Sequence, residues 1–114
     1  MEPLAAGVVA LVPFPFSDLS GAKTRPVVVL ADAGRGDFLL CQVTSNRYSD
    51  PFAIELTGTE FEEGSLRRVS YVRPGRIFTA HASLMRTRLG ALRPRAHARL
   101  VERVVALVQA SLRS

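Results

Sequence analysis

Arginine supplies nearly all of the positive charge of this chain and is the residue type best suited to do chemistry here. Fourteen of the fifteen basic residues are arginine. The planar guanidinium suits paired contacts with phosphate oxygens and stacking on bases. A high-GC genome also enriches arginine, so the bias alone indicates less about a partner than the distribution of charge does. Arg25 has the best-defined position, because Pro26 holds its backbone extended. A guanidinium stays protonated, so Arg25 could stabilise charge on a phosphate but could not act as a base.

The charge is distributed unevenly along the chain. Residues 1–66 carry four bases and nine acids, a net charge of −5, whereas residues 67–114 carry eleven arginines and only one acid, Glu102, a net charge of +10. A surface of one sign attracts a polyanion, so this asymmetry favours binding of nucleic acid or of an acidic peptide. The acidic first half argues against a protein that simply wraps a basic surface around DNA.

The length and composition limit the class of protein. A chain of 114 residues predicts a single domain, 1–114, large enough for one hydrophobic core. No apolar stretch is long enough to span a bilayer, and no signal peptide is recognisable, so we expect a cytoplasmic protein. The single cysteine, Cys41, lies in an apolar run and is interpreted as a buried thiol that is not a nucleophile.

Short apolar runs separated by turn-rich segments predict a mostly β fold. The predicted strands are residues 7–12, a run opened by Arg25–Pro26 and ending at Leu30, and residues 38–44, 52–56 and 70–78, the last interrupted at Pro74–Gly75. Two prolines in residues 12–16 end the first strand or confine it to an edge. With the polar residues 17–24 they form a loop of the length that is usually functional.

The C-terminal region is predicted to be helical. Pro94 stands where first-turn prolines belong, and apolar residues recur at helical spacing from Leu100 to Leu112. They span roughly 160° of the helix, which is wider than a minimal core stripe and leaves apolar surface for a second subunit. The pattern as a whole predicts a small, mostly antiparallel β-barrel closed by a C-terminal helix.

Three segments, taken in order, resemble the MazF/PemK toxin family. The first is GVVALVPFPFSDLSGAKTRPVVVL at residues 7–30, the second is LLCQVTSNRYSDPFAIEL at residues 39–56, and the third is SYVRPGRIFTA at residues 70–80, followed by TRLGAL at residues 87–92 and the helix. Together they cover nearly the whole chain, and their order and spacing are more specific than any one of them. The resemblance implies an SH3-like barrel of the CcdB–MazF type.

The resemblance also implies a function. A member of this family is the toxin of a type II toxin–antitoxin system, an endoribonuclease that cleaves single-stranded RNA without a metal or another cofactor. The 2′-hydroxyl attacks the neighbouring phosphate, which gives a 2′,3′-cyclic phosphate and a 5′-hydroxyl. The implied partners are a second copy of the chain and a cognate antitoxin whose disordered, acidic tail covers the basic surface.

The resemblance assigns roles to individual residues. Arg25 matches the family's catalytic arginine, and Thr44 matches its active-site threonine, whose hydroxyl could donate to a phosphate oxygen or could equally bond the backbone at a strand end. A further set could contact RNA, although loop formation or a solvated surface position explains each member singly: Lys23, Thr24, Ser45, Asn46, Arg73 and Arg76.

The sequence also departs from the family pattern. The first strand reads Gly7–Val8 where the family often has Gly-Asp, and no carboxylate lies between Glu63 and Glu102 to act as a general base. His81 is a possible substitute, although a surface position at a helix start explains it as well, and His97 is interpreted as structural. No cluster has metal-ligand spacing, so no metal is predicted.

Two other classes of function stay open. A gyrase poison of the CcdB type shares the fold but acts through a C-terminal tip that contains tryptophan, and this chain has none. An RNA binder on the same barrel that has lost cleavage is compatible with the missing acid. A general single-strand-binding barrel would interleave aromatic and basic residues, whereas the few aromatics here occupy core-like strand positions.

Overall fold

A computed structural model describes residues 4–14, 23–47 and 49–113, without the side chains of Phe14 and Lys23. The segment 15–22, which carries most of the predicted long loop, lies outside the described residues. Seven strands precede one long helix: β1 (Val8–Phe14), β2 (Lys23–Gly34), β3 (Asp37–Thr44), β4 (Ile54–Leu56), β5 (Phe61–Gly64), β6 (Ser70–His81), β7 (Thr87–Leu92) and α1 (Pro94–Gln109). Short 3₁₀ turns cover Gly58–Glu60, Ala82–Leu84 and Ala110–Arg113.

The strands form one antiparallel sheet in the order β4-β6-β3-β2-β1-β7-β5. Its two edge strands, β4 and β5, are consecutive in the chain and are joined only by the 3₁₀ turn, so the sheet curls until its edges approach each other. Leu56 of β4 and Phe61 of β5 pack in the same core. The predicted mostly β, antiparallel barrel with a C-terminal helix is therefore confirmed, and the barrel is nearly closed.

The central strands bury both of their faces. In β2, Val28 faces the core beneath α1, whereas Val27 and Val29 face a second core on the other side of the sheet. Cys41 of β3 lies in the first core, and burial raises the pKa of its thiol to about 12. The thiol is therefore protonated at ordinary pH, as expected of a structural cysteine.

Helix α1 begins at Pro94, as predicted, because proline loses no hydrogen bond in the first turn of a helix. Ala96 and Leu100 are buried against the barrel, whereas Val105 and Val108, further along the predicted apolar stripe, are 46% and 59% exposed. The barrel thus covers only part of that stripe. None of the described helices is long and apolar enough to cross a membrane.

The structure corrects the predicted limits of several strands. Strand β2 runs from Lys23 to Gly34 instead of from Arg25 to Leu30, because it pairs with β1 at its start and with β3 up to its end. Strand β1 continues through Pro13 to Phe14, because it pairs with β7 only as far as Leu11 and its outer edge then needs no donor. Strand β4 begins at Ile54 instead of residue 52, because a turn precedes it in which the Ala53 N–H donates to the Asp50 carbonyl. Strand β6 runs on to His81.

Strands β5 and β7 were not among the predicted strands. They pair closely through two glycines: a Cβ at Gly64 would lie 2.1 Å from the Leu89 carbonyl oxygen, and one at Gly90 would lie 2.4 Å from that of Glu63. Gly64 also has a φ of 71°, which favours glycine. Glycine in a sequence usually indicates a turn. The two glycines that allow β5 and β7 to pair therefore made this region look like a loop in the sequence.

Candidate active site

The β2–β3 hairpin brings Arg25 and Thr44 together. Strand β2 turns into β3 at Arg35 and Gly36, both with positive φ, and the strands then pair antiparallel with Val27 opposite Gln42 and Val28 opposite Cys41. Arg25 and Thr44 lie two residues beyond the first of these pairs on their respective strands, and both line the same cleft.

Arg25 and Thr44 line one cleft of about 270 Å³, which we call the arginine cleft. Its described lining consists of Thr24, Arg25, Pro26, Val43, Thr44, Ser45, Leu66, Arg67, Arg68 and Ser70. The structure thus brings together four of the predicted site residues, Thr24, Arg25, Thr44 and Ser45. It adds Arg67, Arg68 and Ser70, which the sequence prediction missed.

Three guanidinium groups dominate the electrostatics of the arginine cleft. No acidic side chain is part of its described lining, and no ion pair between described residues involves Arg25, Arg67 or Arg68. A phosphate has the charge and the oxygen acceptors that such a cluster binds best. The described part of the cleft is therefore built to accept an anion.

Two hydroxyl groups shape the walls of the arginine cleft. Thr44 is 8% exposed, and its Oγ1 accepts the Asn46 backbone N–H at 3.1 Å, while no described hydrogen bond uses its proton. The Ser70 hydroxyl donates to the Arg68 carbonyl at 3.0 Å, which fixes the loop that carries Arg67 and Arg68 to the start of β6. The Thr44 proton is thus left to donate to a ligand, whereas Ser70 positions the two arginines.

A second group of arginines surrounds Asp50, and we call it the Asp50 brace. Arg73 Nε donates to Asp50 Oδ2 at 3.0 Å, and the Phe52 backbone N–H donates to Oδ1 at 2.9 Å. Burial opposes ionisation of Asp50, but the hydrogen bond from Arg73, that from Phe52 and the charge of Arg76 outweigh it and lower the pKa of this carboxyl below its ordinary value.

The Asp50 brace holds the loop between β3 and β4. Arg103 of α1 reaches the same loop and donates to the Phe52 carbonyl at 3.1 Å. Asn46, a predicted RNA contact, is exposed in this loop and lines an open pocket beside Asp50 instead of the arginine cleft. Arg73, predicted as a phosphate contact, has its Nε committed to Asp50, and Arg76 is exposed in the bulge of β6.

The remaining predicted groups lie elsewhere or outside the described side chains. The backbone of Lys23 pairs with Phe14, and its side chain is not described. His81 pairs with Asp37 at the other end of β3 from Thr44, roughly 23 Å away at 3.3 Å per residue, and its ring caps the 3₁₀ turn at Ser83. His97 Nε2 lies 3.0 Å from the Leu30 carbonyl, which agrees with a structural role.

The uneven distribution of charge along the sequence does not produce one acidic face and one basic face in the folded molecule. The two strands of the basic half, β6 and β7, each lie between strands of the acidic half. Arg73 pairs with Asp50, and Arg88 of β7 pairs with Glu63 of β5 at 2.7 Å, so some arginines are compensated locally. What distinguishes the arginine cleft is therefore the absence of acids from its described lining and not the total charge.

Arg67 and Arg68 were missed because no local pattern marks them. They lie in the loop between β5 and β6, far in sequence from Arg25, and only the closure of the barrel brings them to it. The one available signal is their position, since they are the first bases after the acidic run Glu60–Glu63 and stand just before a predicted strand.

The fold and the site define a small helix-closed β-barrel protein with a cationic cleft of about 270 Å³. Within the described ranges, no three His, Cys, Asp or Glu side chains are grouped as a metal site requires. A family model described as PemK-like, MazF-like toxin of type II toxin–antitoxin system matches residues 5–109. The chain belongs to this family.

Solved structures share the fold at low sequence identity. An endoribonuclease in complex with its cognate antitoxin from a mycobacterial species superposes with a TM-score of 0.73 at 14% identity, covering 94% of this chain and 96% of that one. A MazE–MazF structure from Deinococcus radiodurans gives 0.70 at 20% identity, with 92% and 94% covered. The Mycobacterium tuberculosis toxin MazF-mt6 gives 0.69 at 13% identity, with 90% and 96% covered. No curated protein matches in sequence.

Proposed function

We propose that this toxin is an endoribonuclease that cleaves single-stranded RNA in the arginine cleft without a metal ion. The observation that carries the proposal is the cleft itself, which Arg25 and Thr44 line together with Arg67 and Arg68, with no acid in the described lining. The family membership supports the same activity. So does one similar structure, that of the mycobacterial endoribonuclease.

The reaction asks the protein mainly for alignment and for charge stabilisation. In RNA the 2′-oxygen attacks the adjacent phosphorus, the bond from phosphorus to the 5′-oxygen breaks, and a proton passes from the 2′-hydroxyl to the leaving 5′-oxygen. The products are a 2′,3′-cyclic phosphate and a 5′-hydroxyl. Since the substrate brings its own nucleophile, fixing the strand and binding the pentacoordinate intermediate give most of the acceleration.

Each residue of the cleft has a role in this scheme. Arg25 donates two N–H groups to the non-bridging phosphate oxygens and stabilises their developing charge. Thr44 donates its hydroxyl proton to the same phosphate, since its oxygen already accepts the Asn46 N–H. Arg67 and Arg68 bind the flanking phosphates. Further contacts with the strand are assigned to other predicted residues: Lys23, Thr24, Ser45, Asn46 and Arg76. Arg73, whose Nε donates to Asp50, holds the loop between β3 and β4 instead.

The test is incubation of the purified protein with a long RNA in EDTA, followed by analysis of the new ends. We expect cleavage that leaves 2′,3′-cyclic phosphates and 5′-hydroxyls. Arg25→Ala should be nearly inactive, whereas Arg35→Asn, which removes one charge in the distant hairpin turn, should be fully active. Asn suits this control because Arg35 has a φ of 58°. Equal cleavage by both variants would show that Arg25 is not catalytic and would remove the support for the proposal.

A second candidate function is RNA binding without cleavage. It is favoured by one observation: the described lining of the arginine cleft contains no carboxylate and no imidazole to move a proton. In that case the protein should bind the RNA in the same assay and leave its length unchanged. The binding should still depend on Arg25.

We further propose that two copies of the chain associate through the exposed part of the α1 stripe. Val105, Val108 and Leu112 are 46%, 59% and 83% exposed, and apolar side chains in a row favour burial against a second copy. Light scattering at micromolar concentration should give about twice the chain mass, and Val108→Asp should shift the protein towards the monomer. A wild-type monomer at that concentration would exclude this interface.

We also propose that an antitoxin with an acidic tail inhibits the protein at the arginine cleft. Two of the similar structures are named as toxin–antitoxin complexes. Carboxylates of such a tail would compete with RNA phosphates for Arg25, and its apolar residues would add salt-resistant burial. Titration at low and high salt should show binding that weakens with salt but persists. Tight binding with undiminished RNA cleavage would show that the tail binds elsewhere.

A further inference from the structure

A second pocket adjoins the arginine cleft across the loop between β5 and β6. We call it the Thr57 pocket, and its volume is about 210 Å³. Leu66, Arg67 and Arg68 line both the arginine cleft and the Thr57 pocket, so this loop is a shared wall. A polymer held by a phosphate in the first site therefore has its neighbouring groups beside the second.

The Thr57 pocket has the size and the combination of apolar and polar groups that suit a heteroaromatic ring. Its inner side is apolar, formed by Leu56 and Phe61, which are 2% and 5% exposed, and by the half-buried Leu66. Its rim is polar, formed by Thr57, by the backbone at Gly58 and by the guanidinium groups of the shared wall. A cavity of roughly 150 Å³ is enough for a benzene ring, so the Thr57 pocket has room for one base.

Thr57 is held in place before any ligand arrives. Its hydroxyl donates to Glu60 Oε2 at 2.6 Å, and its backbone N–H donates to the same oxygen at 3.1 Å. The Thr59 hydroxyl lies 2.9 Å from that oxygen and 2.8 Å from Thr57 Oγ1. The hydrogen bond from Thr57 is the main cause of the lowered pKa of Glu60, so the carboxylate stays ionised and keeps this arrangement at neutral pH.

This network fixes what Thr57 presents to a ligand. Because Thr57 donates its only hydroxyl proton to Glu60, any further hydrogen bond at this oxygen, from Thr59 or from a ligand, is one that it accepts. The hydroxyl oxygen is therefore matched to an N–H group on the edge of a base. The apolar inner side would take the face of the same base, and neither contact needs to be reorganised on binding.

We propose that the Thr57 pocket binds one base of the RNA next to the phosphate held by Arg25, and that Thr57 is a specificity-determining residue for that base. This inference rests on the proposed RNA-directed function and adds a base subsite to it. The phosphate contacts in the arginine cleft are the same for every nucleotide, whereas a base-sized pocket with one oriented acceptor distinguishes among them.

The test compares Thr57→Val with Thr59→Val. Both variants remove a hydroxyl that bonds Glu60, but Thr59 does not line the Thr57 pocket. The cleavage sequence is first mapped for the wild type, and short RNAs are then made with each of the four bases at the positions flanking the cut. Single-turnover cleavage is measured, together with binding of the same RNAs carrying a 2′-deoxy sugar at the cut.

Thr57→Val should reduce the preference for the favoured base at one position by about three- to tenfold, the usual effect of losing one neutral hydrogen bond. Preferences at the other positions and those of Thr59→Val should stay as in the wild type. Gly58→Phe is a second, blocking variant: a Cβ at Gly58 meets no heavy atom within 4 Å, so the residue accepts a side chain. It should lower the same preference.

The outcomes separate this inference from the function on which it rests. If the wild type cleaves RNA, and both folded variants of the Thr57 pocket keep every base preference or lose activity equally on all RNAs, the base subsite is excluded. If the wild type does not cleave, the proposed nuclease function fails. Binding of short homopolymeric RNAs of each of the four bases to the wild type and to Thr57→Val then decides on the subsite, which is excluded if the order of affinities is unchanged; absence of RNA binding excludes both.

Discussion

The arginine cleft and the Asp50 brace use the same residue type for opposite purposes. In the brace, Arg73 bonds a carboxylate that also accepts a backbone N–H, so the charge is compensated and the loop between β3 and β4 is fixed. In the arginine cleft, Arg25, Arg67 and Arg68 share a lining without a described acid. The local partner, and not the residue type, thus decides whether an arginine serves stability or is available to a ligand.

This difference has an energetic basis. Three like charges in one cleft repel each other and contribute nothing to folding, so their arrangement costs stability until an anion binds. A half-buried ion pair with a second hydrogen bond is stabilising mainly because neither partner can be removed without leaving the other unsatisfied. Substitutions in the arginine cleft should therefore affect activity, and substitutions in the Asp50 brace should affect stability.

The largest effect is expected for Arg25→Ala. Loss of one donor to the transition state lowers rates by roughly 10²–10³-fold. The unfolding free energy should change little, because no described residue would lose a bonding partner when the Arg25 side chain is removed. Single-turnover cleavage and thermal unfolding of the same preparation measure both quantities. Wild-type cleavage by this variant would show that Arg25 is not catalytic.

Thr44→Val should have a smaller effect on the rate. Valine keeps the shape and the strand preference but deletes the hydroxyl, so we expect a decrease of about tenfold with the fold retained. The same measurements apply, and Ser65→Ala, an exposed hydroxyl in the β5–β6 loop outside the described cleft lining, is a matched control. An unfolded Thr44→Val protein would instead support a purely structural role for the bond to Asn46.

Removal of both Arg67 and Arg68 tests whether the missed residues bind RNA phosphates. The double alanine variant should weaken RNA binding and reduce the slope of log K against log salt by roughly 1.4, because each contact with a single strand contributes about 0.7. Arg95 and Arg99, two exposed arginines that line a different pocket, supply the matched double variant. Equal slopes for the two double variants would place the RNA elsewhere.

The smallest effect on activity is expected for Asp50→Asn, which should instead lower the unfolding free energy by about 1–2 kcal/mol at neutral pH. The folded-state pKa of Asp50 is lowered, so its contribution is present above the unfolded pKa and is lost as pH falls through the folded value. Urea unfolding at pH 7 and at about pH 3 should show the wild type and the variant converging at the acid end. A constant gap would mean that ionisation of Asp50 is not the cause.

The sequence predicted the parts of the molecule that depend on local pattern. Helix α1 and the strands around Val28 and Cys41 follow from apolar periodicity and proline placement. The pairing of β5 with β7 did not follow, because it depends on the mutual approach of Gly64 and Gly90, which no local pattern reveals. To predict the pairing of β5 with β7, one would have needed to know that the barrel closes and brings these two strands together.

The candidate site was predictable to a similar extent. Arg25 and Thr44 come from the resemblance, and the hairpin register then accounts for their meeting. The engagement of Arg73 with Asp50 was not predictable, because 23 residues separate them and either could have faced solvent. Arg67 and Arg68 were missed for the same reason, since their relation to Arg25 is created by the tertiary fold.

The central claim is that the RNA supplies the nucleophile and the arginine cleft stabilises the charge. The most direct measurement uses an RNA with one 2′-deoxy sugar at the mapped cleavage site, compared with the all-ribose strand in EDTA. Cleavage at that site should fall below detection while binding is retained, because an aligned intramolecular nucleophile, with an effective molarity of about 10⁵ M or more, has been removed. Continued cleavage at the deoxy site would show that water or a protein group attacks, and would contradict the account.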